Sequence, residues 1–180
     1  MSKINIIGID PGAKRCGYSV IQFELKNDDT IVDPVYVSSG IFGLSRDDEK
    51  KETYSGYKAR LIENATKVFQ DLFDQNEPDL VVFEFLPVSN VGAAAGQRLL
   101  AFAVATVGQT LAELNGIYWL EMSASSVKKE LTDSGVATKA KVKNAVLEIF
   151  PDLKSNKYLA DETDAIAIPL AWTKRKNTES

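Results

Sequence analysis

This sequence predicts an α/β domain built on a five-stranded mixed sheet, three antiparallel strands followed by two parallel ones, flanked by helices. Three observations predict it. Up to Phe42 the chain offers three apolar segments divided by turn signals. Beyond that point a strand-like run follows each of two helix-like stretches, the arrangement that crossover connections and parallel pairing require. Everything after the fifth strand reads as helix. A length of 180 residues fits a single domain over 1–180, with no repeat or low-complexity linker to divide it.

The elements follow in order. Ile4 to Ile9 is apolar on both faces, as a central strand covered on both sides should be, and it runs into the turn signal Asp10-Pro11-Gly12. A second strand spans about Cys16 to Phe23. The polar loop Asn27-Asp28-Asp29 separates it from a third, near Val35 to Phe42, and the three form an antiparallel meander. Arg46 to Glu52 mixes both charges and reads as an exposed loop. Tyr54, Tyr57, Leu61, Ala65, Val68, Phe69 and Leu72 fall mostly at steps of three and four, an amphipathic helix. Asp79 to Phe85 is the fourth strand, about Ala93 to Leu114 a long apolar helix, and Gly116 to Leu120 the fifth strand. Helices follow over about Ser125 to Leu131, from the N-cap Thr138 to Phe150, and from Asp161 onward. Pro169 lies inside the last of these. It removes a backbone bond and costs up to ~3 kcal/mol unless the helix kinks or ends there. From about residue 174 a short basic tail, Lys174-Arg175-Lys176, closes the chain.

Composition excludes several chemistries. The chain has no histidine, so Ser-His-Asp and Cys-His nucleophile pairs and His-ligated zinc are ruled out. Its one cysteine, Cys16, excludes an internal disulfide and a four-thiolate metal site. Any metal must therefore sit on oxygen ligands, which favours magnesium or manganese. No apolar run reaches the ~18 residues that a membrane-spanning helix needs. No secretory signal is visible, so a reducing, cytoplasmic setting is the expectation. The net charge is 21 − 25 = −4, unlike a nucleic-acid binder as a whole. The basic residues are instead local: Lys128, Lys129, Lys139, Lys141 and Lys143 oppose only Glu130 and Asp133 over their span. A solvated helical face would have the same pattern.

Four acids stand where acids are costly. Asp10 ends an otherwise apolar strand, although capping of the Pro11-Gly12 turn would also explain it. Glu84 interrupts Val81-Val82-Phe83 and Phe85-Leu86; buried without a partner it would cost on the order of several kcal/mol, so it is protonated, paired with a lysine or bound to metal. Asp161 and Asp164, three apart at a helix start, share one face. Either alone could simply complement the helix dipole. Together the four are a set that a two-magnesium site for phosphodiester chemistry could use.

These residues resemble the RuvC-type Holliday junction resolvases of the ribonuclease H-like superfamily. Gly8-Ile9-Asp10-Pro11-Gly12 followed by Gly17-Tyr18 is similar to that family's first strand and hairpin. Glu84 matches its second acidic position, and Asp161-Glu162-Thr163-Asp164-Ala165-Ile166-Ala167-Ile168 its closing motif. Lys128 and Lys139 match two family lysines that approach junction phosphates, and Gly96-Gln97-Arg98 resembles the start of the family's central helix. The resemblance runs from about residue 4 to 173. It departs at Pro87, where the family has an aromatic residue a few positions past its second acid, and in overall acidity; the nearby Phe85 points to the opposite strand face from Glu84. A divergent, phage-encoded member would fit these departures.

The resemblance implies a ribonuclease H-like fold and a structure-specific DNA endonuclease that nicks four-way junctions symmetrically in recombination and repair. It implies Asp10, Glu84, Asp161 and Asp164 as catalytic and metal-binding residues for two Mg2+ ions per site, with Mn2+ able to substitute. It implies DNA contacts from Lys128, Lys139, Lys141, Arg98 and Phe85, a homodimer on branched DNA, and a cytoplasmic location in a prokaryotic cell or a phage-infected host. Three rival readings remain: a broader branched-DNA or RNA nuclease of the same fold, a DNA-binding scaffold without catalysis, and an actin-like ATPase. The ATPase would need a second phosphate-binding Asp-Gly loop and a longer chain.

Overall fold

The structure, a computed structural model, describes residues 2–12, 14–43, 53–86, 95–155 and 159–179, with the side chains of residues 95 and 159–161 excepted. The expectations placed on residues 46–52 and on Pro87 lie outside the described residues. Five strands, β1 (Ser2–Asp10), β2 (Cys16–Leu25), β3 (Ile31–Phe42), β4 (Leu80–Phe85) and β5 (Tyr118–Ser123), form one sheet in the order β3-β2-β1-β4-β5. The first three pair antiparallel, and β1–β4 and β4–β5 pair parallel, as the sequence predicts. The helices are α1 (Tyr54–Asn76), α2 (Ala95–Leu114), α3 (Ala124–Thr132), α4 (Lys139–Ile149) and α5 (Leu159–Glu179), with a 3-10 turn over Pro151–Ser155.

Strand alternation divides the core into two layers. Ile7, Ile9, Val81 and Phe83 face α1 and α2, meeting Leu61, Phe69 and Val104. Ile6, Ile21, Val82 and Met122 face the other way, against Val127 of α3, Val142 of α4 and Ile166 of α5. Asp10 and Glu84 continue this second set by the same two-residue step, so the sheet aims both acids at α3, α4 and α5.

Three element boundaries differ from the sequence expectation. The third strand begins at Ile31 rather than near Val35, because Asp33-Pro34 is absorbed as an irregularity: Asp33 adopts φ 51° and the register against β2 shifts there. The fifth strand is displaced to Tyr118–Ser123. Gly116, at φ 68°, closes α2, and the Ile117 amide bonds the Ala112 carbonyl as part of that closure. Helix α5 runs through Pro169 and carries residues 174–179 as regular helix, with their side chains exposed.

The passage through Pro169 has a structural explanation. Proline has no N–H for the carbonyl of Ala165, four residues back. That carbonyl accepts instead from Ser19 Oγ of β2, at 2.8 Å. A Cβ on Gly8 would stand 2.4 Å from the same carbonyl oxygen and 2.5 Å from Pro169 Cδ, so only glycine lets β1 lie this close to the helix. At the far end of α5, the Asn177 amide bonds both backbone groups of Ile31: Oδ1 accepts from its N–H at 2.9 Å and Nδ2 donates to its carbonyl at 2.7 Å.

Candidate active site

The register brings the first two acids side by side. The parallel ladder of β1 and β4 runs to Ile9 and Phe83, and Asp10 and Glu84 are the next residue on each strand. Both carboxylates line a cleft of about 200 Å3 together with Asp164 from the second turn of α5, Lys128 from α3 and Lys139 from the start of α4. Ala124, Val127, Val142 and Ala167 supply its apolar wall. Thr138 caps α4, accepting from the Lys141 amide, and so fixes where Lys139 leaves the helix.

The electrostatics follow from crowding like charges on an apolar floor. Burial pushes the Glu84 carboxyl up to about 7, helped by the neighbouring Asp10 and Asp164 and opposed by Lys139 and Lys128. Burial likewise raises Asp10 to about 6, with Asp164 adding to the rise and Lys139 opposing it. The Lys139 ammonium donates to Asp164 Oδ2, and this bond holds its own affinity for protons above the ordinary lysine range. The cleft thus gathers more negative charge than its surroundings solvate, a condition that a bound cation relieves.

As a metal site the donor set fits a hard divalent cation: every candidate ligand is a carboxylate. Among the described residues no three acids already close on a common coordination point. Lys139 is bonded to one of them, and the side chain of Asp161, in the first turn of α5, lies outside the described residues.

The structure therefore brings together Asp10, Glu84, Asp164, Lys128 and Lys139. It does not bring in the other expected DNA contacts. Lys141 is exposed on the first turn of α4 and Arg98 is exposed on the first turn of α2. Phe85 is exposed at the end of β4, on the opposite strand face from Glu84.

Sequence reasoning passed over Glu162. It is buried, and its Oε2 accepts from Ser39 Oγ, which lies 2.9 Å from the Tyr36 hydroxyl. The signal was present: Glu162, Ile166, Pro169 and Thr173 recur at helical spacing on the face of α5 that meets the sheet.

Comparison with known proteins points one way. The sequence profile of the family described as crossover junction endodeoxyribonuclease RuvC matches residues 6–172. A protein of that name from Neorickettsia sennetsu is 30% identical over 169 residues, which cover 93% of this chain and 92% of the relative. The solved structure of Thermus thermophilus RuvC is similar with a TM-score of 0.76 at 19% identity, covering 98% of this chain and 97% of that one. T. thermophilus RuvC in complex with a Holliday junction substrate gives 0.74 at 16% identity, covering 97% and 96%. At these identities the two structures speak to the fold, which is the ribonuclease H-like fold that the motifs imply.

Proposed function

The chain belongs to the crossover junction endodeoxyribonuclease RuvC family, and on that premise we propose that it resolves four-way DNA junctions, with Asp10, Glu84, Asp161 and Asp164 as its catalytic acids. The observation that carries this reading is the single cleft where Asp10, Glu84 and Asp164 from three separate elements meet two lysines. The family's nucleases are metal-dependent, and the metal here is proposed to be Mg2+, two ions per site, with Mn2+ as a substitute. Bound to these carboxylates, the ions would lower the pKa of an attacking water and stabilise the departing 3′ oxygen.

The chain's own groups supply the rest. Lys128 and Lys139 flank the acids and are placed to neutralise phosphate oxygens, positioning the strand rather than reading its bases. With no histidine in the chain, carboxylates and lysines are the groups at hand for proton transfer in this cleft.

A homodimer through α2 is part of the proposal, since two nicks on opposed strands need two sites. Leu99, Phe102 and Leu114 are exposed large apolar side chains on that helix, and with the exposed Thr106 and Thr110 they form one stripe at steps of three and four. A second copy presenting the same stripe would cover it.

Cleavage of a synthetic four-way junction with Mg2+, beside linear duplex, flap and RNA–DNA hybrid, tests the reading. Paired symmetric nicks confined to the junction are the expected result. Cutting of flaps as well would mark a broader branch nuclease, and tight binding without cleavage in Mg2+ or Mn2+ would mark a scaffold.

A further inference from the structure

A row of small residues crosses three strands directly beneath the first turns of α5. Gly8 of β1 is paired with Ser19 of β2, and Ser19 with Ser39 of β3. Directly paired residues share a sheet face, and this row lies on the α5 side: Ser19 bonds the Ala165 carbonyl and Ser39 bonds the Glu162 carboxylate. The two points held, residues 162 and 165, bracket Asp164.

We propose that Ser19 and Ser39 are positioning residues that fix Asp164 over the cleft. The inference deepens the site reading above and rests on it. Packing alone would seat α5: Ile166, Ile168 and Leu170 are buried and press it onto the sheet. Apolar contact is not directional, however, and leaves a helix free to slide or roll by fractions of an ångström. Hydrogen bonds at two points on neighbouring strands fix both displacements. The chain accepts costs to place them there. Pro169 gives up a helical bond, which frees the carbonyl for Ser19, and Glu162 brings a carboxylate into a buried position where an apolar residue would be cheaper to desolvate. Asp164 is the acid that needs such holding, because Lys139 competes for it and because it comes from a helix rather than from the sheet that carries Asp10 and Glu84.

The test is a Mn2+ titration of the purified protein by calorimetry, without DNA, on Ser19→Ala, Ser39→Ala and their combination, paired with the Mn2+ dependence of junction cleavage. The control is Asn177→Ala, which loosens the far end of α5 by removing its two bonds to Ile31. Supporting ligand-orienting groups typically contribute 10–100-fold to metal affinity. The double variant is therefore expected to bind Mn2+ about 10–100-fold more weakly, while Asn177→Ala at a similar loss of melting temperature binds it as the parent does. Ser39→Thr, which keeps the hydroxyl, and Glu162→Gln, which keeps an acceptor, are expected to restore affinity toward the parent. Unchanged Mn2+ binding in the folded serine variants, or equal weakening in Asn177→Ala, overturns the inference. Asp164→Asn separates this from the site reading: if it weakens Mn2+ binding and the serine variants do not, only the positioning role fails. If it too binds Mn2+ unchanged, the metal site itself is misassigned and the positioning role falls with it. Should Ser19→Ala not fold, Ser39→Ala against Ser39→Thr decides by the same readout.

Discussion

The ammonium of Lys139, the first residue of α4, bonds the carboxylate of Asp164 in the second turn of α5. Lys139 is 81% exposed in this pair and Asp164 23%. An ion pair that open to water is worth about 1 kcal/mol or less, so a cation or a phosphate can exchange with either partner at little cost. The expected result for Lys139→Ala is a melting temperature within a few degrees of the parent, junction cleavage at least about tenfold slower, and metal binding without DNA no weaker than before. Differential scanning fluorimetry and a metal titration check it. Large destabilisation would mean that the pair is structural.

Asp10→Asn and Glu84→Gln remove one charge each while keeping shape. Both are expected to reduce junction cleavage about a thousandfold or more while binding the junction with near-parent affinity, as gel-shift titration beside a cleavage time course would show. Retained activity in either would remove that residue from the site.

Burial of Glu84 and Asp10 carries a pH signature. Their folded values, about 7 and about 6, lie above the ordinary 4.5 and 3.8. Between about pH 4 and 8 the folded chain therefore holds more protons than the unfolded one, and stability falls as pH rises through that window. Below it both states are protonated, and above it the loss is complete. In chelator, the melting temperature is expected to drop between pH 5 and 8 from this source. Glu84→Gln should flatten the drop, and divalent ions at pH 8 should reverse it. A rise with pH attributable to Glu84 would contradict its burial.

Gly8→Ala would place a methyl against the Ala165 carbonyl and the Pro169 ring. Overpacking of this kind typically costs about 1–3 kcal/mol, so a loss of roughly 2–12 °C in melting temperature is expected at this chain length. Cleavage should fall with it, since the displaced turn carries Asp164. A neutral substitution would show that α5 shifts freely on the sheet.

Phe102→Asp puts a charge in the middle of the exposed α2 stripe. Light scattering is expected to report a dimer for the parent, as proposed above, and a monomer for the variant, with paired nicking replaced by single nicks. A dimer that survives the change would place the interface elsewhere.

The pairing of the strands, three antiparallel and then two parallel, and the two strand-borne acids were legible in the sequence because each has a local signature, whereas Lys128 and Lys139 stood out from a solvated basic face only through the family resemblance. Asp10 and Glu84 interrupt apolar runs, and Thr138 announces a helix start. The tethers of α5 were not legible: Ser39 meets Glu162 across 123 residues and Ser19 meets Ala165 across 146, and neither serine breaks a local pattern. Pro169 reads as a defect until Ser19 is placed beside it. The first residues of β3 were hidden too, since the apolar run that marks the strand starts only at Val35, beyond the irregular Asp33-Pro34 step.

The Asn177 amide on Ile31 has a consequence for solubility. β3 is an edge strand, and Val35 and Val37 are exposed on it. Unpaired backbone on such a strand is a template onto which another chain can add. Here the side chain of Asn177 imitates a neighbouring strand at Ile31 and uses up both of its backbone groups. Asp33, at positive φ, and Pro34, without an N–H, then break the pattern before the exposed valines begin. An incoming strand would find the first rungs occupied and the next ones out of line, so the last turn of α5 helps to keep crowded copies of the protein from zipping together edge to edge.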